Sequence, residues 1–308
     1  MSNSEIVWRK ASFSIRHGFF MRTKSIVKDI DFSVPKGSIT GIVGSNGAGK
    51  TTTLKLGSGL IKPQTGEVLI RNLPAYQAKA RSFIGFLTEN QYAYPHLNLR
   101  EWLQMMAELS GIKSMDAASK CSKILELLGL NNLKNQRMRS LSKGQLQRAG
   151  IAQAMVHCPA ILLLDEPMSG LDPHWRFRVH QILSDFKKKG GTILFSSHIL
   201  SDVERLCDSL VLIKDGKMSW KGQMSEIPRK IKSYEAVVSE INDLSLLKNF
   251  DIKDFQDGKC LLSFPLDKKK QIIELASQNI ISLISLKPIQ ENIESVLFES
   301  LIDLKEAS

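Results

Sequence analysis

The sequence predicts an α/β fold built on a mainly parallel, doubly wound sheet, followed by a small α+β domain. Short apolar runs rich in β-branched residues, typical of buried strands, alternate with stretches whose apolar residues recur at helical spacing. Such alternation is typical of a parallel sheet with helices on both faces. The rhythm changes near residue 231, where alternating strand patterns begin. We therefore expect a first domain over residues 5–225 and a second over residues 231–308, with the junction at residues 216–230.

The first domain is expected to take its strands from four apolar runs, at residues 38–43, 161–167, 192–197 and 209–214. After the first run a glycine-rich turn ends the strand, and a helix resumes at Lys50. Asp172 followed by Pro173 predicts the start of another helix, which would end at Gly190.

A helical insert is expected to interrupt this sheet between about residues 95 and 158. Its first helix would begin at Asn98, which is spaced from Glu101 as in a capping box. A second helix is expected at residues 116–128, and a third from Ser142 to about residue 156.

The second domain is expected to mix short strands with two helices. Asp257-Gly258 is a hairpin signal between two of the strands. The strands are expected at residues 235–241, 260–266 and 280–289, and the helices at residues 267–278 and 290–305.

Composition excludes a disordered tail, since 43% of the residues are hydrophobic and 24% are charged. The longest apolar runs are far shorter than the roughly 20 residues of a membrane helix. The first residues lack the apolar core of a secretion signal, so we expect a cytosolic protein. Four cysteines without paired spacing are expected to be reduced core thiols, at positions 121, 158, 207 and 260.

The net charge of +11 is confined to the first part of the chain. From Glu226 onward there are 11 Lys/Arg against 14 Asp/Glu, which leaves 31 against 17 in residues 1–225. A basic domain suggests a polyanionic partner: nucleic acid, an anionic membrane surface or the phosphates of a nucleotide.

A phosphate-binding loop is predicted where the first strand meets the first helix. The segment GSNGAGKT has the pattern of Gly, four residues and Gly-Lys-Thr in the strand-to-helix context that the pattern requires. Lys50 would place its charge on the β and γ oxygens, and the Thr51 hydroxyl could ligate Mg²⁺. The candidate binding residues are Gly44, Ser45, Asn46, Gly47, Ala48, Gly49, Lys50, Thr51 and Thr52.

Acidic and histidine side chains follow two further strands at the same predicted edge. Asp165 and Glu166 come after four apolar residues, and His198 follows the strand TILFSS. Ligands of open parallel sheets bind at the carboxyl ends of the strands. We expect Asp165 to hold Mg²⁺ through water, Glu166 to polarise the attacking water, and His198 to contact the γ-phosphate. A carboxylate pair satisfied by loop amides or an arginine is the structural alternative.

The segment LSKGQLQR, residues 141–148, places Ser142 and Gly144 at a helix start, where backbone amides can bind an anion. A domain that already has a phosphate loop has no evident local use for a second one. One interpretation is that this helix meets the nucleotide of another copy. The alternative is an ordinary serine N-cap.

These motifs together resemble the ATP-binding cassette (ABC) ATPases. The Walker A stretch 44–51, the signature 141–145, the Walker B run 161–166, the D-loop 169–172 and the switch His198 stand in the family's order over about residues 5–225. The resemblance implies a P-loop NTPase domain that hydrolyses ATP with Mg²⁺ as a head-to-tail homodimer. Glu166 then resembles the catalytic base, His198 the switch, Ser142, Gly144 and Gln145 the signature contacts, and Asp172 the residue reaching across the dimer.

Three features depart from the family pattern. Lys143 replaces the second glycine of the signature, although Ser142 and Gly144 are retained. Glu89 occupies the place where the family usually has glutamine, with Gln91 two residues later, and its carboxylate could still coordinate Mg²⁺ or its water. The segment HGFFMRTK looks like an insertion before the phosphate loop, so the aromatic residue expected to stack on adenine could be Phe13, Phe19 or Phe20.

We expect the chain to power a separately encoded membrane permease from the cytoplasmic face of the inner membrane, docking around Glu89 and Trp102. Similarity to ABC-2 exporters rests on the segment from residue 88 to 103, on Thr51–Thr53 and on the C-terminal appendix, and it favours export. The alternative is a soluble ABC protein acting on nucleic acid or ribosomes. Such members usually carry a second cassette, coiled coils or zinc motifs, so we expect no nucleic-acid partner. The second domain is expected to brace the dimer, with sensing as the alternative.

Overall fold

The computed structural model describes residues 4–17, 22–89, 94–228, 230–239, 250–254, 259–291, 293 and 296. The chain forms two compact units, Met1–Glu226 and Ile227–Ser308. None of the helices in these described ranges is long and apolar enough to span a membrane.

A six-stranded sheet in the order β10-β9-β3-β8-β7-β6 forms the centre of the first unit. All neighbouring strands are parallel except β10, which pairs antiparallel to β9 through a tight turn. Every residue of β3, β7 and β8 is buried, which explains their continuous apolar sequences. The strands are β3 (Ile39–Val43), β6 (Ile84–Leu87), β7 (Ile161–Asp165), β8 (Thr192–Ser197), β9 (Ser209–Lys214) and β10 (Lys217–Gln223).

A second, antiparallel sheet lies in the same unit and was not predicted. It comprises β1 (Ser4–His17), β2 (Arg22–Pro35), β4 (Thr65–Ile70) and β5 (Leu73–Pro74), in the order β2-β1-β4-β5. Trp8 of β1 stacks on Phe32 of β2 with ring centroids 4.3 Å apart. Both side chains are buried in the core that this sheet shares with the central one.

Three helices of the first unit begin where the capping residues Asn98, Ser142 and Asp172 predict. Asn98 and Glu101 exchange hydrogen bonds of 2.9 Å in a capping box, and Asp172 accepts a 2.8 Å bond from the Trp175 amide with Pro173 in the first turn. In the described residues, the α-helices between β6 and β7 are α3, α4 and α5. The helices are α1 (Lys50–Gly57), α2 (Ala78–Arg81), α3 (Leu99–Leu109), α4 (Ser114–Leu127), α5 (Lys143–Met155), α6 (Pro173–Lys188) and α7 (Leu200–Leu206).

Among its described residues, the second unit has a four-stranded antiparallel sheet, ordered β12-β13-β11-β14, and the helix α8. Tyr234, Phe250 and Phe264 anchor its separate core. The predicted turn at residues 257 and 258 lies outside the described residues, as does the predicted helix over 290–305 apart from its start and the buried Ile293 and Val296. The elements are β11 (Ile231–Ser239), β12 (Asp251–Asp254), β13 (Lys259–Pro265), α8 (Lys269–Ser277) and β14 (Ser282–Gln290).

The expectation of four core thiols is wrong for one cysteine and only partly met by another. Cys121 and Cys207 are buried, and burial raises the pKa of Cys121 to about 11. Cys260 is half-buried, whereas Cys158 is exposed. Cys158 has a φ of 55° and lies in the turn between the end of α5 and β7.

Candidate active site

The carboxyl ends of β3, β7, β8 and β9 meet at one edge of the central sheet, beside a cavity of about 740 Å³. The predicted phosphate loop, Asp165, Glu166, His198 and Glu89 all contribute to its walls. The lining residues are Lys24, Ser25, Ile26, Asn46, Gly47, Gly49, Lys50, Thr51, Thr52, Glu89, Asp165, Glu166, Ser169, His198, Asp215 and Gly216.

The loop between β3 and α1 needs glycine at three positions. Gly47 and Gly49 adopt φ values of 81° and 108°, in the left-handed region that favours glycine. A Cβ atom on Gly44 would lie 2.2 Å from the Ile213 carbonyl oxygen. Helix α1 begins without a side-chain cap and without an acidic residue in its first turn. Its free backbone N–H groups and positive helix end are therefore suited to an anion.

Lys50 is held inside this loop by backbone oxygens. Its Nζ donates a 2.8 Å hydrogen bond to the Gly44 carbonyl and a 3.3 Å bond to that of Ser45, and the residue is 7% exposed. The same Nζ lies 3.9 Å from Glu166 Oε1. The loop thus presents a fixed positive charge beside a buried carboxylate.

Asp165 combines one satisfied and one unsatisfied carboxylate oxygen. Ser196 Oγ donates a 2.6 Å hydrogen bond to Asp165 Oδ1, because β7 and β8 place these residues side by side. Asp165 Oδ2 is buried and has no hydrogen-bond partner among the described residues. A buried carboxylate oxygen without a donor is suited to a cation or its bound water.

Glu166 begins the turn after β7 with a φ of 49° and is 8% exposed. Its Oε2 lies 2.8 Å from His198 Nδ1. Burial raises the pKa of Glu166 above its ordinary value, while the neighbouring His198 and Lys50 oppose that rise. The structure therefore brings Glu166 together with His198 and Lys50, two of the predicted site residues.

The signature residues lie apart from this cavity. Ser142 caps α5 by accepting a 3.3 Å hydrogen bond from the Gln145 amide, and Gln145 Oε1 accepts a 2.8 Å bond from the Ser142 amide. Ser142, Gly144 and Gln145 are absent from the cavity walls. Within one subunit, Ser142 and Gln145 therefore act as an ordinary helix capping box.

The start of α5 packs on the loop that follows β7. A Cβ atom on Gly144 would lie 2.9 Å from the Gly170 carbonyl oxygen, and the Lys143 side-chain carbons lie within 3.1 Å of a Cβ built on Gly170. Lys143 therefore covers the loop with its aliphatic stem. Asp172, like Ser142, uses its side chain as a helix cap.

Some wall residues were not predicted as site residues. Asp215 and Gly216 follow β9, which is parallel to β3, so the edge argument used for His198 would have found them. Lys24, Ser25 and Ile26 come from the unpredicted sheet and carry no recognisable signal. Among the adenine candidates, Phe13 packs against the core instead of lining the cavity, and Phe19 and Phe20 lie outside the described residues, as does Gln91.

Comparison with known proteins places this site in a family. The family model described as ABC transporter matches residues 27–169. An uncharacterised ABC transporter ATP-binding protein of Nostoc sp. is 38% identical over 238 residues, covering 76% of this chain and 71% of the relative. The bacitracin transport ATP-binding protein BcrA of Bacillus licheniformis is 32% identical over 280 residues, covering 87% and 90%.

A solved structure agrees on the fold. The dimeric ATP-binding cassette MJ0796, in a post-hydrolysis state bound to ADP and Pi, matches with a TM-score of 0.67 at 23% identity, over 71% of this chain and 98% of that one. The fold is thus that of a P-loop NTPase of the ABC class. The chain belongs to the ABC transporter ATP-binding proteins: it is an ATPase and the ATP-binding subunit of a transporter.

Proposed function

We propose that this subunit hydrolyses ATP with Mg²⁺ in the 740 Å³ cavity, pairs head to tail with a second copy when ATP binds, and drives a separately encoded exporter permease. The observation that carries the proposal is the buried Glu166 carboxylate, placed between Lys50 and His198 in a cavity walled by the phosphate loop. The relative named for bacitracin transport and the resemblance to ABC-2 exporters support export. The site of action would be the cytoplasmic face of the inner membrane.

The phosphates would bind along residues 44–52. The backbone N–H groups at the start of α1 would surround the β-phosphate, and Lys50 Nζ would exchange its Gly44 and Ser45 carbonyls for β and γ oxygens. The ammonium group already lies inside the loop, so little rearrangement is needed.

The residues present fit Mg²⁺. Asp165 supplies a buried oxygen that no described residue donates to, and Thr51 and Glu89 line the same cavity. No group of three His, Cys, Asp or Glu side chains is arranged as a metal cluster in the part of the chain that the structure describes. The ion would therefore take its other ligands from phosphate oxygens and water, and it would neutralise charge on the β and γ oxygens.

Glu166 would accept a proton from the attacking water. A carboxylate whose pKa is raised by burial is a stronger base than an exposed one, and it stays close to the phosphate loop through Lys50. His198 holds Oε2 of the base through Nδ1, and its imidazole is half exposed toward the cavity. It would thus contact both the base and a γ-phosphate.

The distance of the signature from its own cavity supports pairing of two copies. Ser142 Oγ accepts the Gln145 amide, but its hydroxyl proton remains available to donate. A γ-phosphate held by the partner's loop would complete that bond at the α5 N-terminus. Asp172 lies at the start of α6, at the end of the loop that follows β7, and would face the partner.

Glu166→Gln tests this mechanism. The variant should bind ATP like the wild type, lose turnover by about 10²- to 10⁴-fold because the base is gone, and accumulate a dimer on gel filtration with ATP. Glu126→Gln, on the exposed face of α4, is the matched control and should hydrolyse ATP normally. Undiminished turnover by Glu166→Gln would exclude Glu166 as the base.

The transport part of the proposal has its own measurement. Co-expression with a candidate permease should give a complex whose ATPase activity exceeds that of the subunit alone. Steeply salt-dependent binding of RNA or DNA, with no such complex, would favour the nucleic-acid alternative.

A further inference from the structure

We propose that Gln147 is a positioning residue that holds the catalytic carboxylate of Glu166 and links it to the signature helix α5. This inference rests on the proposed role of Glu166 as the base. Through this contact, Gln147 couples the position of α5 to the position of Glu166 at the site of hydrolysis.

Gln147 reaches Glu166 through a buried hydrogen bond. It is 5% exposed, and its Nε2 donates to the Glu166 carbonyl oxygen at 2.9 Å. The Ser169 amide donates to the same oxygen at 3.0 Å, and the Glu166 amide donates to Ser196 Oγ at 2.9 Å. The backbone N–H and C=O groups of Glu166 are therefore both held by hydrogen bonds.

Glu166 needs these backbone hydrogen bonds because its backbone conformation is unusual. A φ of 49° is uncommon for a residue with a long side chain and persists only where the surroundings enforce it. In that conformation the carboxylate reaches His198 and approaches Lys50. Without the Gln147 bond, the turn after β7 would have one fewer restraint, and the carboxylate would sample other positions.

Gln147 also lies on the helix that carries the signature. Ser142 caps α5, and Gln147 is five residues further along, in its second turn. On this helix Gly144 packs against Gly170, and Arg148 stacks over the Trp175 ring at 3.9 Å. The first turns of α5 thus contact Glu166 and Gly170 after β7 and Trp175 of α6, so a displacement of α5 would change the Gln147 bond.

The consequence is communication between two ATP sites through one subunit. Ser142 would engage a phosphate bound by the partner, and Gln147 would convey the resulting position of α5 to the subunit's own base. Hydrolysis at one site would then depend on engagement at the other.

Gln147→Met tests the inference, since methionine keeps the length but cannot donate. We expect kcat to fall about tenfold, the typical effect of one lost hydrogen bond to a buried group, with KM for ATP unchanged within about twofold. Gln153→Met on the same helix is the control and should leave both constants unchanged. A merely structural role would alter stability or KM and leave kcat in place. Gln147→Glu, of equal size, gives the same loss if the methionine variant does not fold.

A double-mutant cycle tests whether Gln147 acts together with Ser142 or only positions Glu166. If Gln147 conveys engagement of Ser142, then Ser142→Ala with Gln147→Met should lose no more kcat than the worse single variant. The inference would be overturned if the kcat losses of the single variants multiplied in the double variant, or if Gln147→Met had a normal kcat. An inactive Glu166→Gln beside a fully active Gln147→Met would refute only this inference, whereas an active Glu166→Gln would refute the proposed function.

Discussion

Replacing Asp202 by asparagine should destabilise the first unit, because Asp202 joins helices α6 and α7. Its carboxylate, 3% exposed, accepts hydrogen bonds from Arg176 at 2.9 and 2.6 Å and lies 3.0 Å from His180 Nε2. Burial alone would raise the pKa of Asp202, but the bonds from His180 and Arg176 outweigh it and lower the pKa below its ordinary value. The carboxylate is therefore charged in the folded chain at neutral pH.

The size of the effect follows from these contacts. Hydrogen bonds to a charged group contribute about 1.5–3 kcal/mol each, and breaking a fully buried ion pair costs about 3–5 kcal/mol. The Arg176 side chain is 32% exposed, so water can replace part of its lost partner. We expect a loss of about 2–3 kcal/mol, which corresponds to about 4–12 °C in Tm for a unit of this size.

Thermal unfolding followed by circular dichroism measures this loss. Asp185→Asn is the matched control, because its pair with Lys188 is exposed at both side chains and should contribute about 0.5 kcal/mol or less. The lowered pKa means that Asp202 stabilises the fold above its unfolded pKa and stops doing so as the pH falls through the folded value. The difference from wild type should therefore shrink in acid. Melting of Asp202→Asn within about 1 °C of wild type at neutral pH would refute the reasoning.

Two further substitutions probe the cavity. Gly44→Ala should weaken ATP binding at least about tenfold in a fluorescent-nucleotide titration, because the new Cβ would meet the Ile213 carbonyl at 2.2 Å and displace the loop; unchanged affinity would show that the loop tolerates the shift. Asp165→Asn keeps an acceptor for Ser196 but removes the charge, so the Mg²⁺ concentration needed for half-maximal hydrolysis should rise about 10- to 100-fold; an unaltered Mg²⁺ dependence would place the ion elsewhere.

Local chemistry made much of the first unit predictable. The buried strands β3, β7 and β8 are continuous apolar runs, and three helix starts are set by Asn98, Ser142 and Asp172, whose caps involve residues three positions away. The antiparallel sheet was missed although residues 11–16 and 29–34 alternate apolar and polar, because these stretches are short and the register of the strands shifts beside them. Lys10 and Asp29 adopt positive φ, and the β1–β2 register shifts near both.

The candidate site was likewise predictable from the sequence only in part. Contiguous motifs and the shared strand edge brought the phosphate loop, Asp165, Glu166 and His198 together. Ser196 and Gln147 were not foreseen, because their contacts with Asp165 and Glu166 come from pairing of β7 with β8 and from packing of α5. Tertiary contacts of that kind leave no local spacing to recognise.

Cys158 gives the protein a built-in attachment point for a spectroscopic probe. Of the four thiols it is the exposed one, while Cys121 and Cys207 are buried with raised pKa values that leave less reactive thiolate. A maleimide dye should modify Cys158 first without any engineered cysteine. Because this residue closely follows the end of α5, the label would report by fluorescence how the signature helix moves when nucleotide is added.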